Sequence, residues 1–402
     1  MTVIALVGAL DTKAEEYRFL ADRIEQLGAS WILLDIGVLG EPGLTATYDA
    51  GTIARHGGGR LDSLRTVADR NEAMRVMAAG AGRVLGDPAV GVDGVVAVGG
   101  SNAAYVMAEI CAVLPFGLPK VLVSTIAAGD TRRYVREADL TLMYPVVDIN
   151  GLNRLTRSVL TNAAAACVAM ASAPKEQASD RPVVGVTMFG VTTACASAVA
   201  QGLTRRGYEA LSFHCTGVGG RSMEALIRKG SVQAVADLTT TELADDLVGG
   251  VCSAGPDRLT AAAAAGVPQV VSLGALDMVN FTGPESVPAR FRNRRLYPHN
   301  PAVTLMRTTA DECAELGRRI ADRLNTATAR TAVLIPRRGL SQLSVPGGPF
   351  HDPVADQALF DSLRAGLSPT IAVHDFDTDI NDPVVSATAV DLLATWLDKG
   401  PS

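Results

Sequence analysis

Short aliphatic runs that stop at a Gly, Thr or Asp, each followed by a stretch of helical periodicity, recur along most of this chain. In the first half the runs are Val3–Gly8, Trp31–Ile36, Val92–Gly99 and Lys120–Ser124, with helical stretches near 13–28, 62–79, 103–113 and 152–172. A run with no polar alternation has to be covered on both faces, which is the situation of a parallel strand between helices. Strands alternating with helices of this length predict βαβ units and a mostly parallel sheet. The rhythm breaks at the polar, Pro-containing segment 173–181 and restarts at Val183–Thr187. It continues through Ala210–Phe213, Val232–Ala236, Gln269–Leu273, Val303–Leu305, Ala332–Ile335 and Thr370–Val373, with helices near 193–206, 220–229, 257–265, 309–325, 355–366 and 384–398. The expected architecture is therefore α/β, with two Rossmann-like domains of mostly parallel sheet, spanning 1–175 and 182–402.

Bulk properties agree with this and exclude other classes. The 402 residues are 48% hydrophobic but only 4% aromatic, the aliphatic balance that suits buried strands and Ala-rich helices. A formal charge of −6 and the absence of a basic, aromatic-interleaved stripe argue against a nucleic-acid partner. No apolar stretch is long enough to span a bilayer, and the N-terminus reads as a strand rather than a signal peptide. The six cysteines fall without a C-x-x-C or pairing rhythm. They read as free thiols in a reducing compartment, the cytoplasm.

In the first half, two strand–helix turns carry the chemistry. Gly8-Ala-Leu-Asp-Thr-Lys13 opens the first helix, with Asp11 or Thr12 as its expected cap and Thr12 and Glu15 at capping-box spacing. Lys13 in a first helical turn opposes the helix dipole unless an anion is bound beside it. Gly99-Gly100-Ser101-Asn102 follows a buried strand, and small residues there let backbone N–H groups cradle a phosphate. It is neither a Walker motif nor G-x-G-x-x-G, and a tight turn capped by Ser or Asn is the bland alternative. Thr45, Thr47, Arg70 and the Ser124–Thr131 turn are further candidates; Asp130 could equally cap a turn.

In the second half, polar residues crowd at predicted strand ends. His214, Glu224, Asp237, Glu242, Asp277, His299 and Arg307 would meet in one crevice if the sheet is open and parallel, because ligands bind outside the carboxyl ends of such strands. The first six are candidate catalytic groups for acid–base work or for holding a divalent metal, although no H-x-x-x-H or similar ligand spacing is present. Each can also be a cap or a buried hydrogen-bond partner. Cys195 and Cys215 read as small buried hydrophobes.

The runs GALDTK (8–13), VSTIAAGDT (123–131), MYPVVDINGLNR (143–154), GVTMFGVTT (185–193), FHCTGVGGRSME (213–224), DLTTTEL (237–243), GALDMVNF (274–281) and HNPAVTLMRTT (299–309) resemble the Tm-1-like ATP-binding family, UPF0261. The resemblance covers nearly the whole chain. It implies ATP bound with Mg²⁺, mainly by the first domain, and self-association into a homo-oligomer. On matching positions, Lys13 would meet the phosphates and Gly99, Gly100, Ser101 and Asn102 would form the cradle, with Thr47 and Arg70 as further nucleotide contacts. This chain reads Gly-Gly-Ser-Asn-Ala where the family more often has Gly-Gly-Ser-Gly-Gly-Thr, which makes a narrower cradle. The expectation is an ATP-binding protein; the alternative is a metabolic enzyme acting on a small polar or carboxylated substrate in the second-half crevice.

Overall fold

The computed structural model describes residues 1–66, 69–174 and 180–399. The chain divides into two compact units, Met1–Gln177 and Ala178–Ser402.

The first unit runs β1 (Val3–Gly8), α1 (Leu10–Gln26), β2 (Ser30–Asp35), α2 (Ala50–His56), α3 (Leu61–Thr66), α4 (Arg70–Gly86), β3 (Gly94–Val98), α5 (Ser101–Val113), β4 (Lys120–Val123), α6 (Arg132–Val135), β5 (Thr141–Met143) and α7 (Arg154–Ser172). The strands form one parallel sheet in the order β2-β1-β3-β4-β5. Both of its faces are apolar, and side chains divide between them with the period of two that a strand imposes. Ala5, Val7, Val95, Ala97 and Leu122 pack with Met77, Ala81, Ala104 and Met107 of α4 and α5. Ile4, Leu6, Val96, Val98, Val121 and Val123 pack with Leu20, Ile24, Leu160 and Ala164 of α1 and α7.

The second unit begins with β6 (Val183–Met188), α8 (Thr193–Arg205), β7 (Glu209–His214), α9 (Val218–Arg228), β8 (Ala234–Thr239), α10 (Thr241–Val248), α11 (Ala261–Ala265) and β9 (Gln269–Gly274). It continues through β10 (Met278–Phe281), β11 (Leu296–Asn300), β12 (Val303–Arg307), α12 (Ala310–Leu324), β13 (Thr331–Pro336), α13 (Pro353–Gly366), β14 (Ala372–Phe376) and α14 (Pro383–Asp398). Its six-stranded sheet has the order β14-β13-β9-β8-β6-β7, parallel throughout. Val270 and Leu334 face α8 and α14, while Val271 and Val333 face α12 and α13. Beside it lies a small antiparallel sheet, β10-β12-β11.

Both sheets are doubly wound in the same way. The chain lays down a strand, adds the second on one side, then returns to add the third on the other. Strand order therefore reverses between β1 and β3 in the first unit and between β6 and β8 in the second. Such a reversal leaves a crevice at the carboxyl ends of the two central strands.

The structure departs from expectation at several elements. The segment 37–59, without periodicity, contains α2, capped by Asp49 through the Thr52 amide at 2.7 Å. This helix lies close against α4 because Gly57 and Gly80 have no side chain; a Cβ at Gly80 would strike the Ile53 carbonyl. The single helix expected at 62–79 is two, α3 and α4, with Asp69 capping the second. The irregular segment 277–301 contains β10 and β11. No helix among the described residues is long and apolar enough to cross a membrane.

Candidate functional site

In the first unit, the β1 and β3 turns lie side by side at the reversal, since Val7 pairs with Ala97. The two helix starts differ. α1 is preceded by Ala9 and has no side-chain cap of its own, so the expected capping by Asp11 or Thr12 does not form. Asp11 instead accepts from the Leu39 amide at 2.8 Å and the Gly40 amide at 3.3 Å, holding the loop after β2. The start of α1 is closed by Asp35, whose Oδ1 accepts from Leu10 at 3.1 Å and Gly37 at 2.8 Å. Burial pushes the Asp35 carboxyl up, against the pull of the Gly37 and Leu10 amides.

The start of α5 is open. Gly99 takes the positive φ of 151° that turns the chain out of β3, and Gly100 precedes the helix with no side-chain cap. The first-turn amides of a helix have no intrahelical partner and carry its positive end. Gly100, Ser101 and Asn102 are exposed, and a Cβ on Gly100 would meet nothing within 4 Å. Ser124, fully buried at the end of β4, braces the turn from the neighbouring strand.

The other first-unit candidates are placed as follows. Lys13 sits at a kink inside α1 (φ −126°, ψ 19°), and its ammonium donates to the Ile149 carbonyl in the β5–α7 connection. Thr47 lies elsewhere: its hydroxyl accepts from the Leu33 amide at 3.0 Å, finishing the outer edge of β2. Arg70 is exposed at the first residue of α4. Asp130 caps the α6 turn and pairs with Arg132 at 2.7 Å, and the Arg132 hydrogen bonds pull its carboxyl down to about 2.

In the second unit, three of the six catalytic candidates do meet, but around a residue the motifs did not single out. Arg258 is 1% exposed. Its guanidinium bonds Asp237 at 2.5 and 2.7 Å, Glu242 at 2.6 Å and Glu224 at 3.4 Å. Burial alone would push Arg258 down, yet Asp237 and Glu242 outweigh it and hold it above its ordinary value. The carboxylates are also spent on backbone. Glu242 Oε1 accepts from Gly217 at 2.7 Å and Gly220 at 3.1 Å, filling the start of α9. Glu224 accepts from Leu259 at 2.6 Å and Ala261 at 2.7 Å, at the start of α11. Asp237 accepts from the Thr187 hydroxyl at 2.9 Å. The anion positions of these helices are thus occupied by the chain's own acids.

The remaining candidates lie apart from that cluster. Asp277 is fully buried; its Oδ2 accepts from Ser341 at 2.7 Å, and its Oδ1 has no partner among the described residues. Arg307 is buried too, bonded to Asp356 at 2.5 Å and to the Phe350 carbonyl at 2.8 Å. His214 is exposed at the end of β7 with its ring 5.4 Å from Phe189. His299 is exposed on the edge strand β11. The single crevice expected from His214, Glu224, Asp237, Glu242, Asp277 and His299 does not form: the acids are interior and bonded, while the two histidines lie at the surface. No group of three or more His, Cys, Asp or Glu among the described residues is placed to hold a metal ion. At the β6/β8 reversal the threonines engage one another, Thr192 and Thr239 at 2.7 Å, and Asn381 caps the Cys195 amide at 3.2 Å. Burial raises the Cys195 thiol to about 12 and that of Cys215 well above its ordinary value, so both behave as small buried hydrophobes.

Two missed residues had a signal. Asp35 is an acid ending an aliphatic strand, and Arg258 is the one cation in the Ala-rich stretch 254–265.

Fold and turns together define a protein of two Rossmann-like α/β domains, with an exposed, uncapped strand-end turn after β3 in the first. The chain belongs to the uncharacterised protein family UPF0261: the family's N-terminal domain model matches residues 2–176 and its C-terminal domain model residues 181–397. It is 43% identical to a UPF0261 protein of Clostridium tetani, over 98% of this chain and 99% of that one. It is also 37% identical to the ToMV resistance protein Tm-1(GCR237) of Solanum lycopersicum, over 89% of this chain and 50% of the tomato protein. Among solved structures it aligns with MurG of Acinetobacter baumannii at 14% identity and a TM-score of 0.23, covering 98% of this chain and all of that one.

Proposed function

We propose that this protein binds a nucleotide, ATP with Mg²⁺, at the β1/β3 strand ends of its first unit. The observation that carries the reading is the contrast between helix starts. Asp35, Glu242 and Glu224 close those of α1, α9 and α11, whereas the start of α5 is uncapped, exposed and formed by glycines. Phosphate fits this position through the amides of Ser101 and Asn102 and the helix dipole. Lys13 lies on the adjacent turn with no carboxylate partner among the described residues, and its ammonium has two further donors to offer. Arg70 would follow as an outer contact. Thr47 drops to a structural role in this proposal, because its hydroxyl is already engaged. Mg²⁺ would be held chiefly by phosphate oxygens and water, the usual way this ion binds nucleotides.

The test is calorimetric titration with ATP, with and without Mg²⁺, on the wild type and Gly100→Val. Gly100 has a negative φ of −84° (ψ −148°) and free space beyond its Cα, so a valine there meets no neighbour while covering the cradle, and its melting temperature reports any backbone cost. Loss of binding with an unchanged melting temperature supports the proposal. Undiminished affinity in Gly100→Val would sink it.

A further inference from the structure

The second unit contains a cavity of about 660 Å³ at the amino-terminal ends of its strands, opposite the Arg258 cluster. Its walls are largely apolar, with Val232, Val267, Pro268 and Trp396 among them, and it falls within the usual size of a small-molecule site. Among the described residues, two polar side chains on its wall are uncommitted or nearly so: the Thr328 hydroxyl, and Arg330, whose guanidinium makes one long contact, 3.5 Å, to the Trp396 carbonyl at the end of α14. No acid pairs with Arg330 among the described residues. Gln233, the other polar wall residue, is used at both ends, accepting from Val183 at 2.8 Å and donating to Gly230 at 2.9 Å.

The charge balance of this end of the sheet decides what could bind. Helix carboxyl termini gather here, and their negative ends would favour a cation. Two of them are closed internally: α9 by the Gly230 and Ser231 amides, α11 by the Gly266 and Val267 amides, each pair bonded back into its own last turn. α14 is met by Arg330 itself. Among the described residues the guanidinium is therefore the one ionised side chain on this wall, and most of its donors have no partner there.

We infer that this cavity is a binding site for a small apolar monocarboxylate, with Arg330 taking the carboxylate, Thr328 adding a hydroxyl donor, and Trp396 and the aliphatic wall covering the body. A guanidinium in a half-buried apolar setting selects a carboxylate over an uncharged isostere because the charge-assisted bonds are stronger than those to a neutral group. The site stands independently of the nucleotide proposal, since it lies in the other unit.

The experiment is a fluorescence titration with octanoate, using octan-1-ol as the uncharged control. It is done on full-length protein in a Trp31→Phe background, which leaves Trp396 as the only tryptophan. Octanoate is expected to give a saturable change that octan-1-ol does not reproduce. Arg330→Met should weaken it about 10-fold or more, Arg330→Lys should retain most of it, and Ala329→Phe, which fills the cavity from its wall, should abolish it. Thermal unfolding of each variant separates loss of binding from loss of fold. If wild type gives no saturable response, or Arg330→Met and octan-1-ol match wild type and octanoate, the inference is overturned and Arg330 is only the partner of α14.

Discussion

Arg258 faces three carboxylates in an interior closed to bulk solvent. Removing the guanidinium leaves those charges uncompensated, so Arg258→Met should destabilise the protein by about 3–5 kcal/mol, read by urea unfolding. Glu242→Gln, which keeps an acceptor for the Gly217 and Gly220 amides, should cost less. A nearby acid predicts a pH dependence. Asp245 is fully buried and bonded to the Cys252 and Asn280 amides, and burial, opposed by the Asn280 bonds, raises its carboxyl to about 7. A carboxyl raised in the folded state is held protonated there. Its stabilising contribution is complete below the unfolded value of about 4 and is lost as pH rises through about 7. Asp245→Asn should flatten the fall in stability across that window; equal slopes for variant and wild type in urea melts at several pH values would contradict the assignment.

At the scale of elements, the β5–α7 connection is strained. Val146 has φ +67°, and the Val147 amide bonds the Pro145 carbonyl at 2.7 Å, a γ-turn of the rare positive-φ kind on a β-branched residue. Val146 is 68% exposed, so replacing it loses little packing, and Asn tolerates positive φ far better. Val146→Asn should stabilise the first unit by about 1 kcal/mol, a rise of roughly 2–4 °C in its melting temperature. That turn was invisible in the sequence, where Tyr144-Pro-Val-Val reads as an ordinary extended stretch. The central strands were legible for the opposite reason: β1, β3, β8 and β9 are covered on both faces, so their burial is written directly as aliphatic runs. α2, β10 and β11 were missed because their signals are non-periodic, among them an Asp49 cap, backbone contact at Gly80, and a Pro298 within β11, whereas β12 was legible as the run Val303–Leu305. Of the candidate sites, the open Gly-Gly turn after β3 could be read locally. The engagement of Glu224, Asp237 and Glu242 could not, because their partner Arg258 lies 16 to 34 residues away and no spacing rule connects them.

The two units share a winding order yet have made opposite use of it. In the second, threonines, Asn381 and acids occupy the strand-end positions where a ligand would sit; in the first, the matching position after β3 is left open. If that asymmetry sets function, nucleotide should act on one unit's stability alone. A ligand at 100 times its dissociation constant adds about 2.7 kcal/mol to whatever folds around it. Scanning calorimetry with saturating ATP and Mg²⁺ should therefore raise one unfolding transition and leave the other in place. The transition that moves should be the one lowered by a first-unit core substitution such as Leu20→Ala, not by Leu316→Ala in the second. Gly100→Val should erase the ATP shift while both transitions remain. A shift confined to the transition sensitive to Leu316→Ala would place the nucleotide in the second unit, against the reading of the open α5 start. No shift in either would mean that the glycine turn serves the chain's own packing.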